Sequence, residues 1–201
     1  FPGPLAAPGD YTVSMAIRTN GDLEDTGQQT SIHVKLMRQN ALATASPEDV
    51  VAFGKRLDAL SRQADGADSA MKALLVELGA IKKTLPRSSA SNDLRDQARA
   101  LELQAMQLQL QLSGDDNRGM AGDQGPVSVQ ARAGVAALGT LFSTYGPTPT
   151  HLDSLEIAEQ NFAVIKTSLD RIFNTDLPAL RKAMDDAGVP WTPGRGVPGG
   201  E

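Results

Sequence analysis

The sequence predicts a mainly α protein: an antiparallel helical bundle with two long helices, preceded by a β-hairpin. Three observations carry this. Apolar or small residues recur at Val50, Phe53, Leu57, Leu60, Ala64, Ala67, Met71, Leu74, Leu78, Ile81 and Leu85 in alternating steps of three and four, a heptad repeat. Leu155, Ala158, Phe162, Ile165, Leu169 and Ile172 repeat the pattern. Apolar residues make up 40% of the chain but aromatics only 4%, so the core is built from Leu, Ala, Val and Met, which favours helix-on-helix packing.

The hairpin is read from two alternating runs. Tyr11 to Arg18 sets Tyr11, Val13, Met15 and Ile17 against Thr12, Ser14, Ala16 and Arg18, and Thr30 to Met37 alternates through Ile32, Val34 and Leu36. The polar TNGDLEDTGQQ between them is expected to be a long loop. A lone two-stranded hairpin is marginal in water. The strands therefore finish a sheet whose other strands lie upstream, the preferred reading, or dock on the helices. Phe1 to Gly9 is a Pro/Gly-rich lead-in.

After a linker from Asn40 to Ala45, Ser46-Pro47-Glu48-Asp49 forms a helix start: a capping hydroxyl, Pro at the first helical position, acids in the first turn. The helix from Pro47 to Leu85 is on the order of 57 Å long at about 1.5 Å per residue. Gly66 costs about 1 kcal/mol relative to Ala, but the heptad phase passes through it unchanged, so one continuous helix is expected. Pro86 ends it.

Beyond a polar turn at Ser88 to Ser91, Leu94, Ala98, Leu101, Ala105, Leu108 and Leu112 mark a second helix over Asn92 to Leu112. Leu103, Met106 and Leu110 give it a second apolar face, expected to sit between two neighbours. Ser113 to Pro126 is a loop. Val127 to Tyr145 is a helix of small residues, with Gly134 and Gly139 placed for close backbone approach. A helix from Thr150 carries the second long stripe. Pro178 interrupts it and Leu180 and Met184 resume in a new phase, so a kink or short break is expected near Asp176. Gly188 and Pro190 stop the helix. The tail, Trp191 to Glu201, is expected to be pinned to the bundle by Trp191. The sum is four helices in up-and-down order.

The chemistry-bearing residues form no catalytic constellation. His33 and His151 are the only histidines, too few and too far apart in sequence for a triad, a zinc site or a relay. His33 is expected at the surface of a strand, His151 in a capping or packing role. Glu156 and Glu159 lack the histidines a di-iron bundle site needs and read as a solvated face. Asp115, Asp116, Asn117 and Asp123 offer oxygen ligands at a spacing unlike that of an EF-hand. No catalytic, cofactor-binding or metal-ligating residue is assigned, and no cofactor.

Net charge is −5, with no run of Lys or Arg, which argues against nucleic acid. No apolar run approaches the roughly 20 residues of a membrane span. The absence of cysteine excludes disulfides and thiolate chemistry. The chain opens on Phe1, as expected of the C-terminal portion of something longer.

Three stretches carry a family resemblance. PGDYTVSMAI with the later TSIHVKL resembles the end of an Ig-like domain. YGPTPTH (Tyr145 to His151) and DLPAL with AGVPWTPGR (Asp176 to Arg195) resemble the C-terminal signature of bacterial sortilin-like, BNR-repeat β-propeller proteins, often labelled glycosyl hydrolases or photosystem-assembly-factor-like. The resemblance spans about Pro8 to Arg195. It implies an exported protein, periplasmic or extracellular, whose propeller lies outside this chain and holds any sugar-cleaving or peptide-binding site.

The organisation expected on these grounds is a hairpin over residues 1–39 ending an Ig-like sandwich, a four-helix bundle over 46–190, and a tail over 191–201. The function expected is that of a non-catalytic C-terminal structural or interaction module. Its partner is the propeller part of the same protein or another subunit, with no nucleic acid and no membrane span. Alternatives are a part of a glycoside hydrolase whose active site lies on the propeller, and a coiled-coil oligomerisation module. The isolated chain is expected to be a monomer or weak homodimer.

Overall fold

The computed structural model describes residues 6–36, 45–115, 125–141 and 145–196, with only the backbone at positions 140 and 141. The chain is mainly helical behind an antiparallel hairpin, as the sequence predicts.

The hairpin pairs β1 (Gly9–Thr19) with β2 (Asp22–Val34). The expected long loop is instead strand. The chain reverses at Asn20-Gly21, whose φ angles of 51° and 102° are the left-handed pair of a tight two-residue turn. The register slips between Ser14/Gln29 and Ala16/Asp25, so that Thr26, Gly27 and Gln28 bulge opposite Met15. The bulge is fixed locally: Thr26 Oγ1 donates to the Met15 carbonyl at 2.7 Å, and the Gly27 amide donates to Asp25 Oδ1 at 2.9 Å.

Helix α1 (Pro47–Thr84) is unbroken through Gly66. Ser46 accepts from the Asp49 amide at 3.1 Å, and the helix passes into a 3₁₀ turn at Leu85–Arg87, where Pro86 ends it. Of its predicted stripe, Phe53, Leu60, Ala64, Met71, Leu74, Leu78, Ile81 and Leu85 are buried, and Val50, Leu57 and Ala67 half-buried. Helix α2 (Asn92–Leu112) folds back along α1, capped by Ser91, with all six predicted stripe residues buried. Helix α3 (Val129–Leu141) follows, and then α4 (Pro149–Arg171), a π turn at Ile172–Asp176, and α5 (Leu177–Asp186).

Contacts between legs set the directions. Arg56 pairs with Glu159 and Glu77 with Arg181, so α4 and α5 climb in the same direction as α1. Gln130 bonds Asp65 while the Ala45 amide donates to the Tyr145 carbonyl at 3.2 Å, so α3 descends along the first half of α1. The expected up-and-down order of four helices, two of them long, thus takes the form of three legs, up, down and up, with α2 and α3 succeeding each other in the middle one. Length is the physical reason. The run from Pro149 to Asp186 matches the 38 residues of α1, whereas α2 has 21 and α3 has 13, so only the two together cover the long pair. Each leg then has two neighbours and an outer face. Leu103 and Met106, expected between two helices, lie on such a face, 51% and 48% exposed.

The expected break near Asp176 is the π turn. Its wider loop, with the Leu177 amide donating to the Ile172 carbonyl, adds one residue to the spacing. Buried positions run Leu169, Ile172, then Leu177, Leu180 and Met184, so the stripe stays on the core. The same turn removes the bond that Pro178 cannot make.

The tail is pinned, but not by Trp191, which is 53% exposed. Val189 and Thr192 are buried, and Arg195 does the fastening. Its guanidinium donates to the carbonyls of Val189 at 3.2 Å and Pro190 at 2.9 Å and pairs with Asp185. Trp191 is held instead by this strap, residues 189–196, its Nε1 donating to the carbonyls of Arg195 and Gly196 at 3.1 Å.

Candidate interaction surface

The first candidate surface is the hairpin. Successive strand residues point to opposite faces, so Tyr11, Val13, Met15 and Ile17 share one face of β1. The register sets Ile32 and Val34 of β2 beside them, opposite Tyr11 and Gly9. Tyr11, Val13, Met15, Ile17 and Ile32 are 37% to 54% exposed, and only Val34 is half-buried. The other face carries Thr12, Ser14, Ala16 and Arg18, and Asp10 with His33. One apolar face and one polar face is the pattern of a sheet that packs on one side. Among the described residues this apolar side is left uncovered.

The two histidines stand on different elements, one on the hairpin and one at a helix start. His33 lies opposite Asp10, its Nδ1 2.6 Å from Asp10 Oδ1, with both side chains more than half exposed. His151 is the third residue of α4 and completes a capping box: the Thr148 amide donates to its Nδ1 at 3.1 Å. Its ring also explains Gly139. A Cβ on Gly139 would stand 2.6 Å from His151 Nδ1, so the close approach expected there is real, whereas among the described residues nothing lies within 4 Å of a Cβ placed on Gly134.

The carboxylates are employed in packing. Glu159 takes two bonds from Arg56, at 3.1 and 2.6 Å, joining α4 to α1, and Glu156 accepts from Gln160 on the exposed side. Asp116, Asn117 and Asp123 lie outside the described residues. Among the described residues no group of three His, Cys, Asp or Glu is placed to hold a metal ion, and no helix is long and apolar enough to cross a membrane.

A second surface lies where the C-terminal end of α1 meets the outer face of α2. A cleft of about 490 Å³ is bounded there by Lys82, Leu85 and Pro86 on one side and Arg95, Asp96, Arg99, Glu102, Leu103 and Met106 on the other. Glu102 is buried and receives both its bonds from Lys82 Nζ, each 2.7 Å, which ties the two helices together at the floor. Sequence reading singled out Leu103 and Met106 but not the arginines beside them. The signal was present, since Arg95, Arg99 and Leu103 recur every four residues.

Comparison with known protein families, curated proteins and solved structures finds no match to this chain.

Proposed function

We propose that this chain is a non-catalytic structural and interaction module of a larger exported β-propeller protein, with the hairpin as its docking element and the bundle as its rigid body. The single observation that carries the reading is the uncovered apolar face of Tyr11, Val13, Met15, Ile17 and Ile32 on a sheet of only two strands. Two strands are marginal in water, and further strands or a packing partner stabilise them. The occupant proposed for that face is β-structure upstream in the same polypeptide, an Ig-like sandwich that the hairpin completes. The resemblance of PGDYTV and TSIHVKL to the end of such a domain, and of YGPTPTH and AGVPWTPGR to propeller proteins, supports the choice.

Amide hydrogen exchange tests it on the polypeptide isolated from its source and on the 201-residue chain alone. In the source polypeptide, Tyr11 to Ile17 and Ile32 should exchange slowly, and in the isolated chain at least about tenfold faster, as a local opening of low free energy requires. Equal exchange in the two would sink the reading. A source protein that is itself a dimer of 21.2 kDa chains with a protected hairpin would replace it with self-association.

A further inference from the structure

We propose that the cleft between the end of α1 and the outer face of α2 is a docking groove for a short acidic and apolar peptide segment of a partner protein. It is separate from the hairpin and does not depend on the reading of that element.

The groove has a charged half and an apolar half along one helix face. Arg95, Arg99, Leu103 and Met106 follow one another at steps of four, four and three, so their side chains line up. The eleven steps from Arg95 to Met106 rise about 16 Å, the reach of roughly five residues of extended chain. That length suits a peptide better than a compact small molecule.

The cationic half is unsatisfied. Arg95 Nε is shut off from solvent and has no hydrogen-bond partner, although its Nη1 donates a long bond of 3.4 Å to Asn92. Arg99 is exposed and makes no hydrogen bond or ion pair among the described residues. Lys82 and Glu102 are engaged with each other, so Asp96 is the remaining acid facing the two guanidiniums. Arg95 closes the first turn of α2, the positive end of the helix dipole, so its own helix does not stabilise it. A partner carboxylate there gains charge-assisted bonds from the guanidinium fork. Leu103 and Met106 then take an aliphatic side chain, with Met adapting its shape to the occupant.

The test is fluorescence anisotropy of a labelled Glu-Asp-Leu-Glu-Leu-Leu peptide against the full chain. Saturable binding is expected, weakened at least about tenfold by the double variant Arg95→Gln/Arg99→Gln and by Leu103→Ser/Met106→Ser, because charge-assisted bonds and apolar burial each exceed that factor. Arg62→Gln, on the exposed side of α1, should leave binding unchanged. Leu103, Met106 and Arg99 are exposed, and a thermal melt of each variant confirms that the bundle persists. Absence of saturation up to about 1 mM, the weakest docking worth the name, overturns the groove. So does equal binding by either double variant, or by a peptide with every acid changed to its amide or every leucine to serine.

Discussion

Glu77 and Arg181 face each other across α1 and α5 as a fork on a fork, both N–H···O distances being 2.7 Å. Glu77 is buried and Arg181 half-buried. The hydrogen bond to Glu77 raises the Arg181 guanidinium above its ordinary value, against the opposing effect of burial. A cation whose folded value is raised adds stability that is present below its unfolded value and lost only above its folded one. Arg181 therefore stays charged through any ordinary pH. Glu77→Met strands the arginine and should cost about 1.5–3 kcal/mol, the range for bonds to charged groups. Glu77→Met/Arg181→Met should lie closer to the parent than either single variant, since an apolar pair leaves no orphan charge. Urea titrations of the four proteins check the cycle.

Gly194 touches the same carboxylate. Its φ of 87° favours glycine, and a Cβ at that position would overlap the Glu77 carboxyl group. Gly194→Ala should therefore loosen the Glu77–Arg181 pair as well as the strap. Arg195→Ala should free the strap without disturbing the pair, because Arg195 bonds Asp185, Val189 and Pro190 instead. Limited proteolysis distinguishes the two: cleavage after Val189 rises in both, but only Gly194→Ala should also lower the melting temperature, by several degrees for a loss of about 1 kcal/mol.

Leu74 is 2% exposed in the middle of the α1 stripe. Leu74→Asp buries an unpaired carboxylate there, a penalty of several kcal/mol against a stability of about 5–15 kcal/mol. Loss of the cooperative helical melt is expected. Glu156→Gln, on the exposed side of α4, should melt with the parent to within about 0.5 kcal/mol. Circular dichroism reads both.

How far the sequence foretold these features follows from what heptads encode. They specify which side of a helix is buried, so every stripe residue of α2 and every one of α4 through Ile172 was legible, as was the phase change that the π turn absorbs. They carry nothing about direction, so the parallel course of α1 and α4 had to come from Arg56–Glu159 and Glu77–Arg181. In the hairpin, Asp22 to Gln29 lacks alternation because Leu23 is its one large apolar side chain, and the Asn20-Gly21 turn signal was lost inside that polar run. Trp191 drew notice by its size, yet the Arg195 guanidinium, with two carbonyls and a carboxylate as partners, holds the tail. Paired polar contacts of that kind have no periodicity to betray them.

Gly66 offers the cleanest test of the unbroken α1. It is exposed, helical, and has nothing within 4 Å of the place a Cβ would take. Gly66→Ala thus adds no contact and removes none, and its effect is backbone entropy and propensity alone, a gain of about 0.5–1 kcal/mol. Gly139→Ala has the opposite expectation despite the same chemistry. Its Cβ would press on the His151 ring at 2.6 Å, so either α3 withdraws from α4 or His151 abandons Thr148 and the cap is lost, at about 1 kcal/mol for the cap alone. Thermal melts of the two variants should move in opposite directions. If both rise, α3 does not pack against α4 at that point; if both fall, α1 is not a continuous helix through Gly66.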